Sequence, residues 1–145
     1  LTVFQEDRLF PSFDALDNIG IYPYPFVKET ALEILKKLEL GDVCDRPAAE
    51  YSGGMKRRLA IARALYGCTA LHAHKPGEPL LLIMDEPFKG LDPTLRKKVI
   101  DTVDDIVCRT GSALILVTHE SGEAVALGCE QIALKPKRRD VNRWH

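Results

Sequence analysis

Long hydrophobic runs, an excess of one charge and paired cysteines are all missing from this 145-residue sequence. Its longest apolar runs, 79–84 and 113–117, are far shorter than the roughly 20 residues of a membrane-spanning helix, so we expect no transmembrane segment. The 20 basic and 21 acidic residues nearly cancel, which excludes a global basic field, and no nucleic-acid partner is expected. The four cysteines lie far apart without a C-x-x-C pair, which argues against a structural zinc site or a disulfide framework.

The composition is that of a folded globular domain. Apolar residues make up 46% of the chain and charged residues 28%, and the length is close to the roughly 150 residues of one domain. The chain opens with Leu1–Phe4, an apolar, β-prone stretch that has no polar residues before it. We therefore expect one domain, which the sequence enters partway through a strand.

Hydrophobic periodicity and capping residues predict alternating strands and helices. The expected helices are 14–19, 27–38, 52–66, 93–110 and 121–127, and the expected strands are 1–5, 80–84, 113–118 and 131–134. Asp92 and Pro93 are typical of a helix start, while Gly67 and Gly111 are expected to close helices. The two continuous apolar runs among the strands are typical of strands buried on both faces of a sheet. The order predicts an α/β fold with a mostly parallel sheet, whose ligands bind at the carboxyl ends of the strands.

Two adjacent carboxylates, Asp85 and Glu86, stand where an apolar strand opens into a loop. Burial of such a pair is costly unless a cation is bound, and a magnesium nucleotide would supply one. One carboxylate could then hold the ion while the next deprotonates an attacking water. The alternative is that these residues only cap the turn that follows the strand.

Ser52, Gly53 and Gly54 begin a predicted helix. Unpaired backbone N–H groups and the positive end of the helix dipole make this an anion site, and the glycines let a phosphate approach closely. Taken alone, the motif is better explained as an ordinary serine N-cap followed by flexible residues.

Spacing favours the functional interpretation. Several short motifs follow one another along the chain: Val3–Gln5, Tyr51–Met55, Arg58, Ile61–Leu65, Leu81–Pro87, Leu91–Asp92 and Thr118–His119. This series resembles the ATP-binding cassette (ABC) ATPases over nearly the whole chain. The resemblance implies a P-loop NTPase-like fold with a helical signature subdomain at about 12–66, a catalytic core in the remainder of 1–135, and a basic tail at 136–145.

The resemblance also implies catalytic roles and the cofactors ATP and Mg²⁺. Gln5 would contact the magnesium or the attacking water and respond to a transmembrane partner. Asp85 would hold magnesium, Glu86 would be the general base, and His119 would contact the γ-phosphate.

A second group of residues would serve the ATP of another cassette. By the resemblance, the signature motif would bind that nucleotide through Ser52, Gly53, Gly54 and Met55, and Asp92 would line the interface between the two chains. The implied active unit is therefore a head-to-tail dimer of ATPase subunits with two shared ATP sites.

The P-loop of the family, G-x-x-x-x-G-K-[ST], is not found, because no Gly-Lys pair occurs in the 145 residues. We expect an N-terminally truncated cassette that is inactive alone. We also expect the strands at 80–84 and 113–117 to expose apolar faces, because the missing P-loop segment would normally pack against them. A non-catalytic remnant is the alternative, although the joint presence of Glu86, His119 and Ser52 favours a fragment.

Met55, Phe10–Pro11 and Pro87–Phe88 make the chain most similar to importer ATPases of the nitrate, sulfonate and taurine type. The implied partners are permease subunits and, for an importer, a solute-binding protein. The implied location is the cytoplasmic face of the cell membrane, as a peripheral subunit. A non-transport ABC ATPase, of the translation or chromosome-maintenance kind, is the alternative function.

Two segments are left without a motif. In ABC ATPases a link joins the signature helix to the strand that ends at Asp85, and the 68–78 segment is longer than the usual link. It is expected to be a solvated insertion rather than a metal site built on His72 and His74. The basic tail at 136–145 could contact anionic lipid or nucleic acid, but a solvated tail is the simpler interpretation.

Overall fold

The computed structural model describes residues 1–132, in which parallel strands alternate with helices. The elements are β1 (Thr2–Val3), α1 (Ala15–Ile19), α2 (Lys28–Lys37), α3 (Gly53–His74), β2 (Leu81–Asp85), α4 (Pro93–Thr110), β3 (Ala113–Val117) and α5 (Ser121–Ala126), with 3₁₀ turns at Gly41–Val43 and Ala48–Glu50. The strands form one parallel sheet in the order β1-β2-β3. The predicted α/β fold with a parallel sheet is confirmed.

The register of the sheet brings three loops to one edge. Val3 pairs with Met84, and Asp85 pairs with Val117. Because the strands are parallel, the residues that follow β1, β2 and β3 all leave the sheet at its carboxyl edge. The predicted site residues Gln5 and Glu86 therefore lie at the same edge.

One face of the sheet is buried and the other is open among the described residues. Leu82 and Met84 are fully buried in the core with α3 and α4, whereas Ile115 and Val117 are 50% and 51% exposed. The prediction that both apolar runs are buried on both faces is therefore wrong for residues 1–132, because helices cover only one side. The expectation of exposed apolar strand faces is confirmed.

Helix α3 is the centre of the core. Its residues from 59 to 68 are buried on nearly every side, as expected for a helix that is apolar all round. The prediction that it ends before Gly67 is wrong, since the helix continues to His74. Gly67 is instead a close-contact residue: a Cβ at this position would lie 2.6 Å from Cζ of Tyr22.

The segment after Gly67 is mostly helical, and its first residues are buried rather than solvated as expected. Cys68 and Ala70 are buried, whereas 72–79 are exposed, first as the last turn of the helix and then as a turn beyond His74. The ring nitrogen Nδ1 of His74 lies 2.9 Å from the carbonyl oxygen of Ala70, one helical turn earlier. Within residues 1–132 no group of three potential metal ligands occurs.

Local sequence signals set the bounds of α4. The carboxylate of Asp92 accepts hydrogen bonds from the amides of Thr94 and Leu95 at 3.1 and 3.0 Å, and Pro93 occupies the first turn. Gly111 ends the helix with a φ of +62°, in the left-handed region. Both predicted ends of this helix are confirmed.

The structure describes only the first two residues of the strand that was predicted at the carboxyl-terminal end of the chain. Residues 131 and 132 belong to no strand, although a strand was expected at 131–134. The rest of that strand and the basic tail at 136–145 lie outside the described residues.

Replacement of Gly67 by alanine is expected to destabilise the protein by about 1 kcal/mol. The gain in helix propensity, about 1 kcal/mol, is smaller than the cost of displacing the half-buried Tyr22 ring, about 1–3 kcal/mol. The measurement is urea denaturation of the gene product that contains these 145 residues. The matched control is Gly122→Ala, which meets no atom within 4 Å and should not lower stability. Equal stability changes in the two variants would contradict the close-contact role of Gly67.

Candidate functional site

Glu86 is held in a strained position directly after β2. Its φ is +47°, in the left-handed region, which costs a residue with a Cβ about 1–2 kcal/mol. Its amide donates to the carbonyl oxygen of Val117 at 2.9 Å, and its carbonyl oxygen accepts from the amide of Lys89 at 3.3 Å. The two loops at the carboxyl ends of β2 and β3 thus fix the backbone of Glu86.

The side chains of Glu86 and His119 face each other. Oε1 of Glu86 lies 3.3 Å from Nε2 of His119, and the glutamate side chain is 14% exposed while the histidine is 95% exposed. Oε1 is buried yet has no aligned hydrogen-bond donor among the described residues, so the two side chains approach closely without an aligned hydrogen bond. A carboxylate oxygen with no aligned donor is free to accept a proton from an incoming molecule.

The donor set beside Glu86 suits magnesium. Asp85 is half-buried at the last position of β2, and Gln5 is exposed two residues beyond β1. Carboxylate and amide oxygens are ligands that Mg²⁺ prefers, and this ion commonly uses one or two carboxylates together with substrate phosphates. The lack of a three-residue metal cluster in residues 1–132 is compatible with that mode of binding.

A hydrogen bond to a buried glutamate fastens the loop of His119. The hydroxyl of Thr118 donates to Oε2 of Glu123 at 2.6 Å, and Glu123 is buried. Oε1 of Glu123 lies 3.7 Å from Nη1 of Arg96, whose Nη2 donates to the carbonyl oxygen of Leu91 at 3.3 Å. This network joins the loop after β3 to the start of α4. The sequence analysis missed both charged residues because nothing in their spacing indicates that they meet.

The signature motif forms the N-terminus of α3 as predicted. The hydroxyl oxygen of Ser52 accepts from the amide of Met55 at 3.3 Å. A Cβ would meet no atom within 4 Å at Gly53, and at Gly54 only the Leu91 side chain at 3.8 Å. Internal packing therefore does not require these glycines. Because no side chain of the described residues fills the space beside them, the helix terminus is open to an external anion.

The first turn of α3 is anchored from one side. Nη1 of Arg58 donates to the carbonyl oxygens of Leu38 and Glu39 at 2.7 and 3.1 Å. Burial lowers the pKa of the Arg58 guanidinium, and the charges of Glu39 and Asp92 oppose that effect. Asp92 itself is exposed and caps α4.

The predicted site residues fall into two groups. The first comprises the residues at the sheet edge, namely Gln5, Asp85, Glu86 and His119. The second comprises the residues at the starts of α3 and α4, namely Ser52, Gly53, Gly54, Met55 and Asp92. Within residues 1–132 no hydrogen bond or ion pair joins a side chain of one group to the other. The two groups are thus not connected by side-chain hydrogen bonds or ion pairs in this part of the chain.

Two arginines of α3 contact the loop that carries Gln5, and the sequence analysis gave neither of them a role. Arg57 donates to the carbonyl oxygens of Phe4 and Gln5. Arg63 donates to the carbonyl oxygens of Asp7 and Arg8. The loop after β1 is therefore fastened to the signature helix.

Comparison with known proteins relates this arrangement to transport ATPases. Residues 1–89 match the family model described as ABC transporter. An aliphatic sulfonates import ATP-binding protein of Agrobacterium fabrum is 37% identical over 92% of this chain and 48% of its own length. The corresponding protein of Nocardia farcinica is 38% identical over 97% of this chain and 54% of its own length. An Fe(3+) ions import ATP-binding protein of Brucella melitensis is 37% identical over 92% of this chain and 36% of its own length.

The solved structures agree. The dimeric ATP-binding cassette MJ0796, in a post-hydrolysis state bound to ADP and Pi, superposes with a TM-score of 0.68 at 27% identity. The alignment covers 86% of this chain and 54% of the cassette. The chain spans about half the length of the sulfonates relatives and of this cassette. On the family match and the shared cassette fold, the chain belongs to the ABC transporter family, as the order of its motifs predicted.

Proposed function

We propose that this chain forms the catalytic carboxylate and signature portion of the ATP-hydrolysing subunit of an ABC importer. The observation that carries the proposal is the Glu86 carboxylate, held by a strained backbone with one buried oxygen lacking an aligned donor and with His119 3.3 Å away. Three relatives that match over most of the chain are named as import ATP-binding proteins, which supports the same function.

Each residue at the sheet edge has one task in the proposed reaction. Magnesium, when bound with ATP, supplies positive charge that neutralises the phosphates. Asp85 holds the ion, and Gln5 orients the ion or the attacking water. Glu86 accepts a proton from that water, and His119 contacts the γ-phosphate. The exposure of His119 and the burial of Glu86 suit these roles, because one must reach the nucleotide and the other must keep a fixed position.

The signature residues serve the nucleotide of a second cassette. Ser52, Gly53 and Gly54 present an open helix terminus, and none is tied to Glu86 within the described residues. A head-to-tail pair places the signature of each chain on the ATP of the other, with Met55 and Asp92 at the same interface. Residues 12–66 then form a helical subdomain, in which α1 and α2 pack on α3, and the remainder of the described residues belongs to the catalytic core.

The remaining partners are membrane proteins. No helix in residues 1–132 is long and apolar enough to cross a membrane. Phe10 and Phe13 are exposed and stacked with ring centroids 5.2 Å apart, a few residues after Gln5. This aromatic surface is the proposed contact with a permease at the cytoplasmic face of the membrane. The relatives are named for the import of aliphatic sulfonates and of Fe(3+) ions, and a solute-binding protein is the further proposed partner.

Glu86→Gln is expected to lower ATP turnover of the full gene product by about 10²- to 10⁴-fold, because it removes the proton acceptor. ATP binding should persist, since the neutral amide keeps the shape of the side chain. Phosphate release and binding of a fluorescent ATP analogue measure the two effects. Glu33→Gln, an exposed change on α2, is the matched control and should leave both unchanged. Normal turnover in Glu86→Gln would overturn the general-base assignment.

His119→Ala is expected to reduce the maximal turnover by about 10-fold or more while ATP still binds, because a contact to the reacting phosphate is lost. The same steady-state assay measures the effect, with His72→Ala, an exposed change on α3, as control. An unchanged maximal turnover in the His119 variant would limit this histidine to a structural role beside Glu86.

Residues 1–145 expressed alone are expected to show no magnesium-dependent ATP hydrolysis, because they contain no Gly-Lys pair for a P-loop. Phosphate release from the purified fragment is the measurement. Turnover comparable with that of the full gene product would contradict this expectation.

A further inference from the structure

The loop between β1 and α1 lacks backbone support of its own. In the part of the chain that the structure describes, residues 5–9 form no backbone–backbone hydrogen bond. Arg8 adopts a left-handed φ of +45°, and its guanidinium lies 3.8 Å from the centre of the Phe4 ring. A loop that carries a catalytic amide therefore needs another source of order.

Side chains of α3 supply that order. Nη1 of Arg57 donates to the carbonyl oxygen of Phe4 at 2.7 Å, and its Nη2 donates to that of Gln5. Arg63 donates to the carbonyl oxygens of Arg8 and Asp7 at 2.8 and 3.2 Å. Four of the five carbonyl groups from 4 to 8 thus accept a hydrogen bond from a single helix.

Arg57 is the more closely engaged of the two with Gln5. Its side chain is only 12% exposed, and its Nη1 also lies 3.2 Å from Oδ1 of Asp7. That carboxylate oxygen has no aligned donor among the described residues. Burial raises the pKa of the Asp7 carboxyl, and the Arg57 charge opposes the rise. Only a guanidinium offers two planar donors and a delocalised charge in this geometry.

The position of Arg57 on α3 adds a second link. It lies five residues after Ser52, on the same continuous helix that begins at Gly53. A movement of this helix would therefore be transmitted to the backbone of Gln5 through one side chain.

From these contacts we infer that Arg57 is a positioning residue for Gln5: it sets the place of the Gln5 amide at the sheet edge and joins it to the signature helix. The inference rests on the proposed catalytic role of Gln5. Arg57 itself contacts neither the nucleotide nor the water in this account, so it acts on the reaction only through the loop.

A double-mutant cycle tests the inference in the full gene product. Gln5→Ala, Arg57→Ala and the double variant are compared for kcat and for the KM of ATP. Because a displacement of about 1 Å can cost as much as 100-fold in rate, we expect Arg57→Ala to lower kcat by about 10- to 100-fold. KM should change by less than about two-fold, and the double variant should be no slower than Gln5→Ala, since both changes remove the same contribution.

A structural readout accompanies the kinetics. The backbone NMR order parameters of residues 5–9 should fall in Arg57→Ala, while those of β2 and α4 remain unchanged, because the arginine contacts are what orders this loop. Arg109→Ala, an exposed change whose ion pair is with Asp105, is the control and should alter neither measurement. Arg57→Gln, which keeps a donor without the planar fork, is tested with the same expectations should the alanine variant fail to fold.

The outcomes separate the two hypotheses. A normal kcat in Gln5→Ala would contradict the proposed function of Gln5. A lowered kcat in that variant, with a normal kcat in Arg57→Ala or with losses that multiply in the double variant, would overturn the inference and leave the proposed function intact. Unchanged order parameters of residues 5–9 in the Arg57 variants would also overturn it.

Discussion

Burial of helix α3 is the constraint on which the rest of this structure depends. The helix is 22 residues long and is buried on nearly every side in its central part. The centre of the helix is fixed among α1, α2, α4 and β1. The position of the signature motif and that of the Gln5 loop are therefore fixed as well. The signature motif projects from the first turn of the helix, and Arg57 and Arg63 hold the loop of Gln5. One packing element therefore positions a group from each half of the site.

The two groups of site residues solve different physical problems. At the sheet edge, parallel register brings Gln5, Asp85 and Glu86 together, and a left-handed backbone keeps Glu86 in place despite its cost. At the start of α3, glycines that no neighbour requires leave the helix terminus open. A buried carboxylate and an open anion site suit opposite sides of one nucleotide.

Much of this arrangement could be predicted from the sequence because its signals are local. Asp92, Pro93 and Gly111 define α4 through their own backbone preferences, and the apolar run before Asp85 defines β2. The candidate roles of Asp85 and Glu86 followed from their position at a strand end, whereas those of Gln5 and His119 followed from the family resemblance. The order of the motifs was sufficient to indicate the family.

The failures have a different origin, since each depends on a tertiary contact. A glycine at position 67 is typical of a helix end, but the close contact with the Tyr22 ring is the reason for glycine there. The exposure of Ile115 and Val117 depends on what covers the sheet, which no periodicity reveals. Arg57 and Glu123 became visible only when the fold placed them beside a loop carbonyl and a threonine hydroxyl.

The central claim is that Ser52 and Glu86 of one chain belong to two different ATP sites. The most direct test mixes two inactive variants of the full gene product, Ser52→Arg and Glu86→Gln, and measures ATP turnover of the mixture. In a two-fold head-to-tail pair, each mixed dimer contains one site with an intact Glu86 and an intact Ser52. The account predicts recovery to about a quarter of the unmodified rate, because about half of the dimers are mixed and each has one intact site. Turnover that stays at the mean of the two separate variants would contradict it.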